Sequence, residues 1–423
     1  MKKKVIIGII SVLVVISGCL FVMFNNSNKS YYVITNETEE KIMNTNALTM
    51  MYETEAGSGE YQVTSDTTWP QEGYVFNERL SACENGSALT WDDTTKRVIV
   101  EANTVEKCYI YFDVEKPTLA STIEDLYTVD GENGLYYHDG HGTYGAQEAG
   151  DNSYRYAGAN PNNYVCFGSV EETCPAENLY RIIGVFDDDK DGNYQIKLIK
   201  ADYTTSEMLG TNGRDYYGTY SYSTSNYKGS MDTSTIAGYR WNYDTSVSTY
   251  GSNNWTTSEF NKINLNTNYW NYLGTTWQNL IAQTTWHLGG MTSHNNTAKA
   301  FYDGERNNTG YGSNPTTYSD EIGLMYPSDY GYAASPEAWI TDLYDYESSA
   351  ITSNNWMYMG LYEWTITPSL SYSYHVFLVY NRGYLSYYNA LNGYAARPVF
   401  YLKSNVEFNG GTGTSSDPYR LAV

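Results

Sequence analysis

A run of uncharged residues near the amino terminus constrains this chain more than any other feature. It extends over the twenty residues from Val5 to Phe24 and follows three lysines, Lys2 to Lys4. As a helix rising about 1.5 Å per residue, it is long enough to cross a hydrocarbon core of about 30 Å. Because positively charged flanks stay inside, the sequence predicts a cytoplasmic tip at 1–4, a single-pass signal anchor in the cell membrane at 5–24, and an extracellular remainder.

Cys19 gives the same segment a second interpretation. Ile16 to Cys19 resembles the lipobox at which bacterial lipoproteins are cleaved and lipidated on the cysteine. The next residues, Leu20 to Phe24, continue the apolar run, whereas a lipidated cysteine is normally followed by a polar tether. We therefore expect an uncleaved anchor in the lipid bilayer, with lipidation as the alternative. Both place the bulk of the chain outside the cytoplasm.

The composition excludes two classes of protein. The net charge is −23, only 17% of residues are charged, and no basic cluster follows the first residues. Nucleic acid is therefore not expected as a partner. The chain also contains 46 Tyr, 11 Phe and 10 Trp within a hydrophobic fraction of 41%. That amount of buriable ring surface excludes a disordered chain.

Four further cysteines agree with an extracellular location. They form a distant pair, Cys83 and Cys108, and a close pair, Cys166 and Cys174. An even number of cysteines outside the cytoplasm predicts disulfides. The spacings do not fit a zinc site of the C-x-x-C type. Four cysteines allow three pairings, of which we favour Cys83 with Cys108 and Cys166 with Cys174.

Changes in composition divide the extracellular part into four segments. Residues 25–59 are polar and predict a stalk. Residues 60–115 show short alternating apolar runs broken by turn residues, which predict a small sandwich-like all-β domain. Its core is small, so a disulfide that closes a loop of this size contributes about 3 kcal/mol. Residues 116–135 are expected to be a linker, and 136–423 a large domain.

The large domain mixes strand and helix patterns. Leu179 to Phe186, Tyr194 to Lys200 and Arg397 to Lys403 alternate as strands. Helices are predicted at 257–273, at 276–288 and after Ser335, where a serine cap precedes a proline. Because the elements lack a regular βαβ order, the sequence predicts an α+β fold rather than a doubly wound sheet.

Five segments follow one another in a specific order between Asn152 and Leu421. They are Tyr180 to Phe186, Gln195 to Lys200, Gly323 to Ala333, Glu363 to Thr365 and Ala396 to Lys403. Together they resemble an uncharacterised domain that is common on the surfaces of Gram-positive-type bacteria. That family has no established activity, so the resemblance implies a surface location and no particular reaction.

A more remote similarity concerns the end of the domain. Glu363-Trp364-Thr365, followed by a glycine-bearing stretch and the strand from Arg397, is similar to the C-type-lectin-like fold of formylglycine-generating enzymes. The similarity implies a compact fold that presents loops. It does not imply the activity, because Cys166 and Cys174 lie early in the domain and nothing matches the late catalytic cysteine pair.

Two tyrosine-rich segments are the candidate binding regions. Val376 to Ala395 resembles the variable receptor-binding surface of retroelement-diversified lectin-fold proteins, and antibody paratopes favour the same Tyr, Ser and Asn. The second segment, 215–254, is expected to expose its tryptophans. An aromatic-rich inner strand and loop is the alternative for 376–395. The candidate ligand-binding residues are Tyr380, Tyr384, Tyr387, Tyr388, Asn389, Trp241 and Trp255.

Asp187, Asp189, Asp191 and the following Gly192 match the start of a calcium loop. The twelfth position is Leu198, which lies inside the next strand instead of supplying a carboxylate. We therefore expect a solvated hairpin tip and no cofactor, with calcium binding as the alternative.

Hydrolysis of a glycosidic bond requires two carboxyl groups at a defined separation. The best candidates are Glu305, which precedes Arg306, and Glu363, which precedes Trp364. Each also fits a structural role, as an ion-paired carboxylate or as part of a tryptophan-containing core. No nucleophile elbow, phosphate-binding loop, dinucleotide fingerprint or zinc-protease motif is present. The sequence therefore favours a noncatalytic adhesion or recognition protein that binds glycan or protein, with a surface glycan hydrolase or a structural envelope protein as alternatives.

Overall fold

The computed structural model describes residues 30–33, 48–66, 69–92, 97–102, 107–187 and 192–423. The predicted cytoplasmic tip and the predicted anchor from Val5 to Phe24 lie outside these ranges. Within them, no helix combines the length and the apolar character that a membrane crossing requires. The chain divides into two compact units, Met1–Lys116 and Pro117–Val423.

The described residues of the first unit form strands joined by turns and contain no helix. Three of them form one antiparallel sheet in the order β1-β7-β6, and four form a second in the order β3-β2-β8-β4, with β5 also paired to β8. The strands are β1 Ser30–Val33, β2 Leu48–Glu53, β3 Tyr61–Thr64, β4 Tyr74–Phe76, β5 Ala82–Cys83, β6 Ala88–Asp92, β7 Arg97–Ala102 and β8 Cys108–Val114.

The core of this unit is small and aromatic. Phe112 on β8 is fully buried, and Trp69 stacks on it with ring centroids 5.4 Å apart. Cys83 and Cys108 form a disulfide beside these rings, which is the pairing favoured from the sequence. The described residues within 60–115 therefore form strands that are held by a disulfide, as the sequence predicts.

The predicted stalk at 25–59 is wrong for its last part. Strand β2 pairs in parallel with β8 along five residues, from Leu48 opposite Cys108 to Tyr52 opposite Phe112. Met50 of β2 is 5% exposed. The short apolar alternation of Leu48, Met50 and Tyr52 is sufficient for a strand, so the β unit includes residues that the polar composition around them had assigned to the stalk.

The second unit is mixed α and β, as predicted. Its strands are β9 Leu135–His138, β10 Ser153–Tyr156, β11 Tyr164–Cys166, β12 Leu179–Phe186, β13 Gln195–Lys200, β14 Tyr216–Thr219, β15 Ala237–Tyr239, β16 Ile281–Ala282, β17 Thr284–His287, β18 Thr317–Asp320, β19 Ile322–Gly323, β20 Glu363–Pro368, β21 His375–Val379, β22 Leu385–Asn389 and β23 Val399–Leu402.

The helices of this unit are short. The α-helices are α1 Leu119–Glu124, α2 Ser206–Leu209, α3 Trp270–Leu273, α4 Thr275–Gln278, α5 Ala298–Arg306, α6 Pro327–Tyr332 and α7 Ser349–Thr352. A π-helix, Phe260–Tyr269, leads into α3. The 3₁₀ turns are Glu132–Gly134, Ala176–Asn178, Thr233–Thr235, Trp255–Thr257, Pro336–Ala338 and Leu343–Asp345.

An eight-stranded antiparallel sheet organises the core. Its order is β16-β23-β13-β12-β10-β9, with β11 also paired to β12 and β19 to β23. Seven of the eight residues of β12 are buried, because other elements cover both faces of the sheet. Gly184 on β12 approaches the Tyr154 carbonyl oxygen so closely that a Cβ atom would lie 2.3 Å from it. Glycine is therefore required at this bulge.

The predicted linker at 116–135 is also wrong. Helix α1 lies within it, and Leu119 and Ile123 are fully buried in the main core. The Thr118 side chain caps the helix by accepting a hydrogen bond of 3.1 Å from the Ser121 N–H. One helical turn with two apolar residues is too short for a clear periodic signal in the sequence.

Two of the three predicted helices differ from the structure. The helix expected at 257–273 corresponds to the π-helix and α3, but that expected at 276–288 ends at Gln278. Residues Thr284–His287 instead form β17, because Thr284, Thr285 and Trp286 suit a pleated strand that pairs with β18. After Ser335 the chain makes a single 3₁₀ turn, Pro336–Ala338.

Candidate functional site

The β21–β22 hairpin at the edge of the sheet β20-β21-β22 is the candidate binding element. Its turn contains Gly383 at φ +98°, a backbone conformation that favours glycine. The Gly383 N–H donates to the Tyr380 carbonyl at 2.9 Å. From the core, the Tyr330 hydroxyl donates to the Gly383 carbonyl at 2.6 Å, and the Tyr358 hydroxyl to the Asn381 carbonyl at 2.8 Å. These bonds fix the turn to the rigid interior.

Aromatic side chains surround this hairpin on both faces of β22. Because side chains alternate along a strand, Tyr387 and Tyr388 project to opposite faces. Rings from other loops join each group, and together they define what we call the hairpin surface. Its members are His294, Tyr344, Tyr372, His375, Tyr380, Tyr384, Tyr387 and Tyr388. The structure thus brings together the four tyrosines predicted at 376–395.

The rings of the hairpin surface stack on one another. His294 lies between Tyr344 and Tyr387, with centroid distances of 4.3 and 5.1 Å. Tyr380 stacks on Tyr384 at 4.5 Å. A stacked face is already covered, so the accessible parts of these rings are mainly their edges and hydroxyl groups.

Several of the rings remain well exposed. The exposed fraction is 40% for Tyr388, 43% for Tyr344 and 44% for Tyr372. These values are high for large aromatic residues, which usually bury most of their surface. The hairpin surface is therefore an aromatic patch in contact with solvent, with a hydrogen-bonding group on each tyrosine.

Burial disfavours the positively charged form of the two histidines of the surface. Burial lowers the pKa of both His294 and His375. At His375 a hydrogen bond to Asn389 acts in the opposite direction and is outweighed by burial. His375 Nε2 lies 3.0 Å from the Asn389 side-chain oxygen. Asn389, predicted as a ligand contact, thus positions an imidazole of the patch. The surface gains no positive charge from either histidine at neutral pH.

The prediction that Trp241 and Trp255 are exposed is wrong. Trp241 is fully buried and Trp255 is 2% exposed, with their rings 4.8 Å apart. The Trp241 Nε1–H donates to the Thr365 carbonyl at 2.9 Å. The polar residues around them satisfy backbone groups of a folded loop, so a Tyr/Ser/Asn-rich composition did not indicate solvent exposure here.

Other residues of the segment 215–254 do reach the surface. Tyr217, Tyr243 and Tyr250 are 44%, 36% and 51% exposed. Tyr250 lies 5.1 Å from Tyr374, which in turn packs against His375 at 4.6 Å. The end of this segment therefore extends the hairpin surface on one side.

Sequence reasoning missed four members of the hairpin surface, of which His375 directly precedes the predicted segment. His294, Tyr344 and Tyr372 lie in separate parts of the chain, and each makes its ring contacts through tertiary structure. No local pattern distinguishes them, since Tyr344 and Tyr372 are each followed by a second tyrosine two positions later and His294 lies in a polar stretch. Only the fold places them beside the hairpin.

The proposed calcium residues are only partly described. Asp189 and Asp191 lie outside the described residues, and Asp187 accepts a hydrogen bond of 3.2 Å from the Gly192 N–H. In the part of the chain that the structure describes, no three His, Cys, Asp or Glu side chains are grouped as a metal site would need. Calcium binding here stays an untested alternative.

Both candidate hydrolytic carboxylates lie in the interior. Glu363 is 1% exposed and forms a two-bond ion pair with Arg397 at 2.7 and 3.0 Å. Glu305 is fully buried and accepts a hydrogen bond of 3.0 Å from the Ser328 N–H and a second one from the Ser328 hydroxyl. Both carboxylates are occupied by structural partners and closed to solvent.

Comparisons of the chain with protein-family models, with curated proteins and with solved structures found no match. The bacterial surface-domain and lectin-like similarities are therefore neither supported nor contradicted by these comparisons.

Proposed function

We propose that this chain is a noncatalytic recognition protein of the bacterial cell surface that binds a protein ligand through the hairpin surface. The exposed, stacked aromatic patch on a rigid hairpin is the observation that carries the proposal. In this proposal, Val5 to Phe24 anchors the chain in the membrane. The two disulfides, Cys83–Cys108 and Cys166–Cys174, are consistent with an extracellular location.

The stacking of the rings favours a protein ligand over a glycan. Sugars bind aromatic side chains by lying on an open ring face, whereas the faces of His294, Tyr380 and Tyr387 are each covered by a neighbouring ring. Tyrosine edges and hydroxyl groups instead suit the mixed apolar and hydrogen-bonding contacts of protein interfaces. Because the rings are already packed, binding costs little side-chain entropy.

The glycan-hydrolase alternative has no comparable support. An inverting or retaining mechanism needs two carboxyl groups that flank a substrate in an accessible cleft. Glu363 is paired with Arg397 and Glu305 with Ser328, and both are in the core. We therefore retain recognition as the proposed function.

The test is a binding screen of the full-length chain in detergent against arrays of extracellular proteins and of glycans. The wild type is compared with a variant carrying Tyr384→Ala, Tyr387→Ala and Tyr388→Ala. A matched control carries Tyr272→Ala, which removes a tyrosine that is 37% exposed on helix α3, outside both candidate binding segments. We expect a protein ligand whose affinity falls at least about tenfold in the hairpin variant and stays unchanged in the control.

A second variant separates the two ligand classes. Tyr387→Phe with Tyr388→Phe removes two hydroxyl groups and keeps both rings. Recognition through hydroxyl groups predicts weaker binding, whereas sugar stacking on ring faces predicts no change. A ligand that binds all variants equally would show that the hairpin surface is not the site, and binding to glycans alone would replace the protein ligand with a glycan.

A further inference from the structure

A lysine and an aspartate meet in the interior of the second unit, away from the hairpin surface. Lys197 lies on β13 and Asp329 in the first turn of α6, 132 residues apart in sequence. Both side chains are completely buried, and Lys197 Nζ lies 2.6 Å from Asp329 Oδ2. An amine and a carboxyl group are thus held in contact by two elements of a packed core.

Aromatic rings enclose this contact. Lys197 Nζ lies between 4.4 and 5.8 Å from the centroids of four of them, which are Phe186, Trp286, Tyr326 and Tyr401. Such a wall keeps out water, and burying two charges of an ion pair is costly. That cost favours condensation over the charged pair.

Arg155 supplies a positive charge at the other carboxyl oxygen. Its Nη1 lies 3.7 Å from Asp329 Oδ1, and both of these buried atoms lack a hydrogen-bond partner among the described residues. Asp151 holds the same guanidinium through a contact of 2.6 Å to Nη2. A fixed cation at this oxygen stabilises the negative charge that develops when an amine adds to the carboxyl carbon.

We propose that Lys197 and Asp329 condense to an intramolecular amide bond. The Lys197 ammonium group transfers one proton to the Asp329 carboxylate, the resulting amine attacks Cγ, an Nζ–Cγ bond forms, and one carbon–oxygen bond of the carboxyl group breaks. That oxygen leaves as water with two of the three hydrogens of the lysine ammonium group, and the third remains on the amide nitrogen. No oxidant, reductant or co-reactant is needed.

The preformed contact explains how condensation proceeds without activation of the acid. Groups held in contact react as one molecule, with effective molarities of about 10⁵ M or more in well-oriented cases. Once formed, the amide is enclosed by rings that exclude the water needed for its hydrolysis. It covalently connects β13 to α6. Like a disulfide, it restricts the conformations that are open to the unfolded chain.

Peptide mapping of the full-length chain tests this inference. Trypsin does not cut after an amide-linked lysine, so cleavage after Lys197 is lost. We expect a branched peptide that joins 191–200 to 307–382 and is lighter than the sum of its parts by one water. The Lys197→Arg variant keeps the positive charge and yields only linear peptides.

Lys200→Arg is the matched control, because Lys200 is buried on the same strand and donates to the Glu177 carbonyl at 2.8 Å. It should retain the branched peptide. Recovery of only the linear peptides 191–197 and 307–382 from the wild type would overturn the proposal and leave a buried ion pair. The wild-type map decides this point even if Lys197→Arg fails to fold, and it is independent of ligand binding.

Discussion

The interior and the hairpin surface of the second unit use aromatic side chains in different ways. In the interior, the indole N–H of Trp364 donates to the Tyr239 carbonyl at 2.7 Å, and that of Trp356 to the Tyr156 carbonyl at 2.8 Å. On the hairpin surface, Tyr344 and Tyr388 are more than one third exposed and contact mainly other rings. These two interior indoles thus donate to backbone carbonyls, whereas the surface tyrosines contact one another, through ring stacking and through the hydroxyl groups of Tyr380 and Tyr388.

The density of aromatic residues in the sequence is therefore a poor guide to the solvent exposure of their side chains. Trp241 and Tyr250 lie nine positions apart in one polar segment, yet the first is fully buried and the second is 51% exposed. The Trp241 indole N–H donates to the Thr365 carbonyl, and burying it without that bond would cost about 1–3 kcal/mol. The neighbouring Trp255 is 2% exposed although its indole N–H has no hydrogen-bond partner among the described residues, so tertiary packing and not local composition decides which rings are buried.

The largest effect that the comparison predicts follows from removing an interior ring. Trp364→Ala should destabilise the second unit by about 3–5 kcal/mol, because it leaves a cavity and removes one of the two donors to the Tyr239 carbonyl, the other being the Tyr394 N–H. Denaturant unfolding followed by tryptophan fluorescence measures it. Trp364→Phe is the control that keeps most of the volume and loses the hydrogen bond. A loss below about 1 kcal/mol for Trp364→Ala would contradict the structural role of the ring.

The second prediction concerns the pH dependence of stability, to which the buried carboxyl group of Glu305 contributes. Burial raises the pKa of Glu305 from 4.5 to about 7, so the folded state holds a proton that the unfolded state releases. Stability is therefore greatest below pH 4.5 as far as this group is concerned, and is lost as the pH rises towards 7. The loss is about 3 kcal/mol at most.

Unfolding at a series of pH values, with Glu305→Gln beside the wild type, measures this contribution. Glutamine keeps the shape and does not titrate, so the variant should lose less stability between pH 4.5 and 7. Glu259→Gln is the control for removing a carboxylate, since Glu259 pairs with Arg214 near the surface. Parallel pH curves for the wild type and Glu305→Gln would show that Glu305 does not titrate in this range.

The sequence predicted the parts of the fold that carry strong local patterns. Leu179–Phe186 and Gln195–Lys200 are strands as expected, because long alternating or continuous apolar runs identify buried strands. Helix α1 and strand β17 were missed, since four to six residues give too little periodicity. Their conformation depends on tertiary contacts, such as the pairing of β17 with β18.

The candidate site was predictable only where it is continuous in sequence. Tyr384, Tyr387 and Tyr388 lie within one segment, and a tyrosine-rich hairpin can be recognised from it. His294 and Tyr344 join them through folding, and Lys197 meets Asp329 across 132 residues. Contacts between distant residues require the register of the sheets, which the sequence pattern does not contain.

The smallest expected effect comes from removing one hydroxyl group in each region. Tyr330→Phe removes the donor to the Gly383 carbonyl in the core and should cost about 1–3 kcal/mol. Tyr388→Phe removes a hydroxyl from a ring that is 40% exposed and should change stability by less than about 0.5 kcal/mol. Denaturant unfolding of both variants gives the difference directly. The Tyr388 hydroxyl interacts with that of Tyr380, and water can replace this bond at a surface ring. If Tyr388→Phe were as costly as Tyr330→Phe, that bond would be a structural one, and the hairpin surface would be an extension of the core and not a surface left for a ligand.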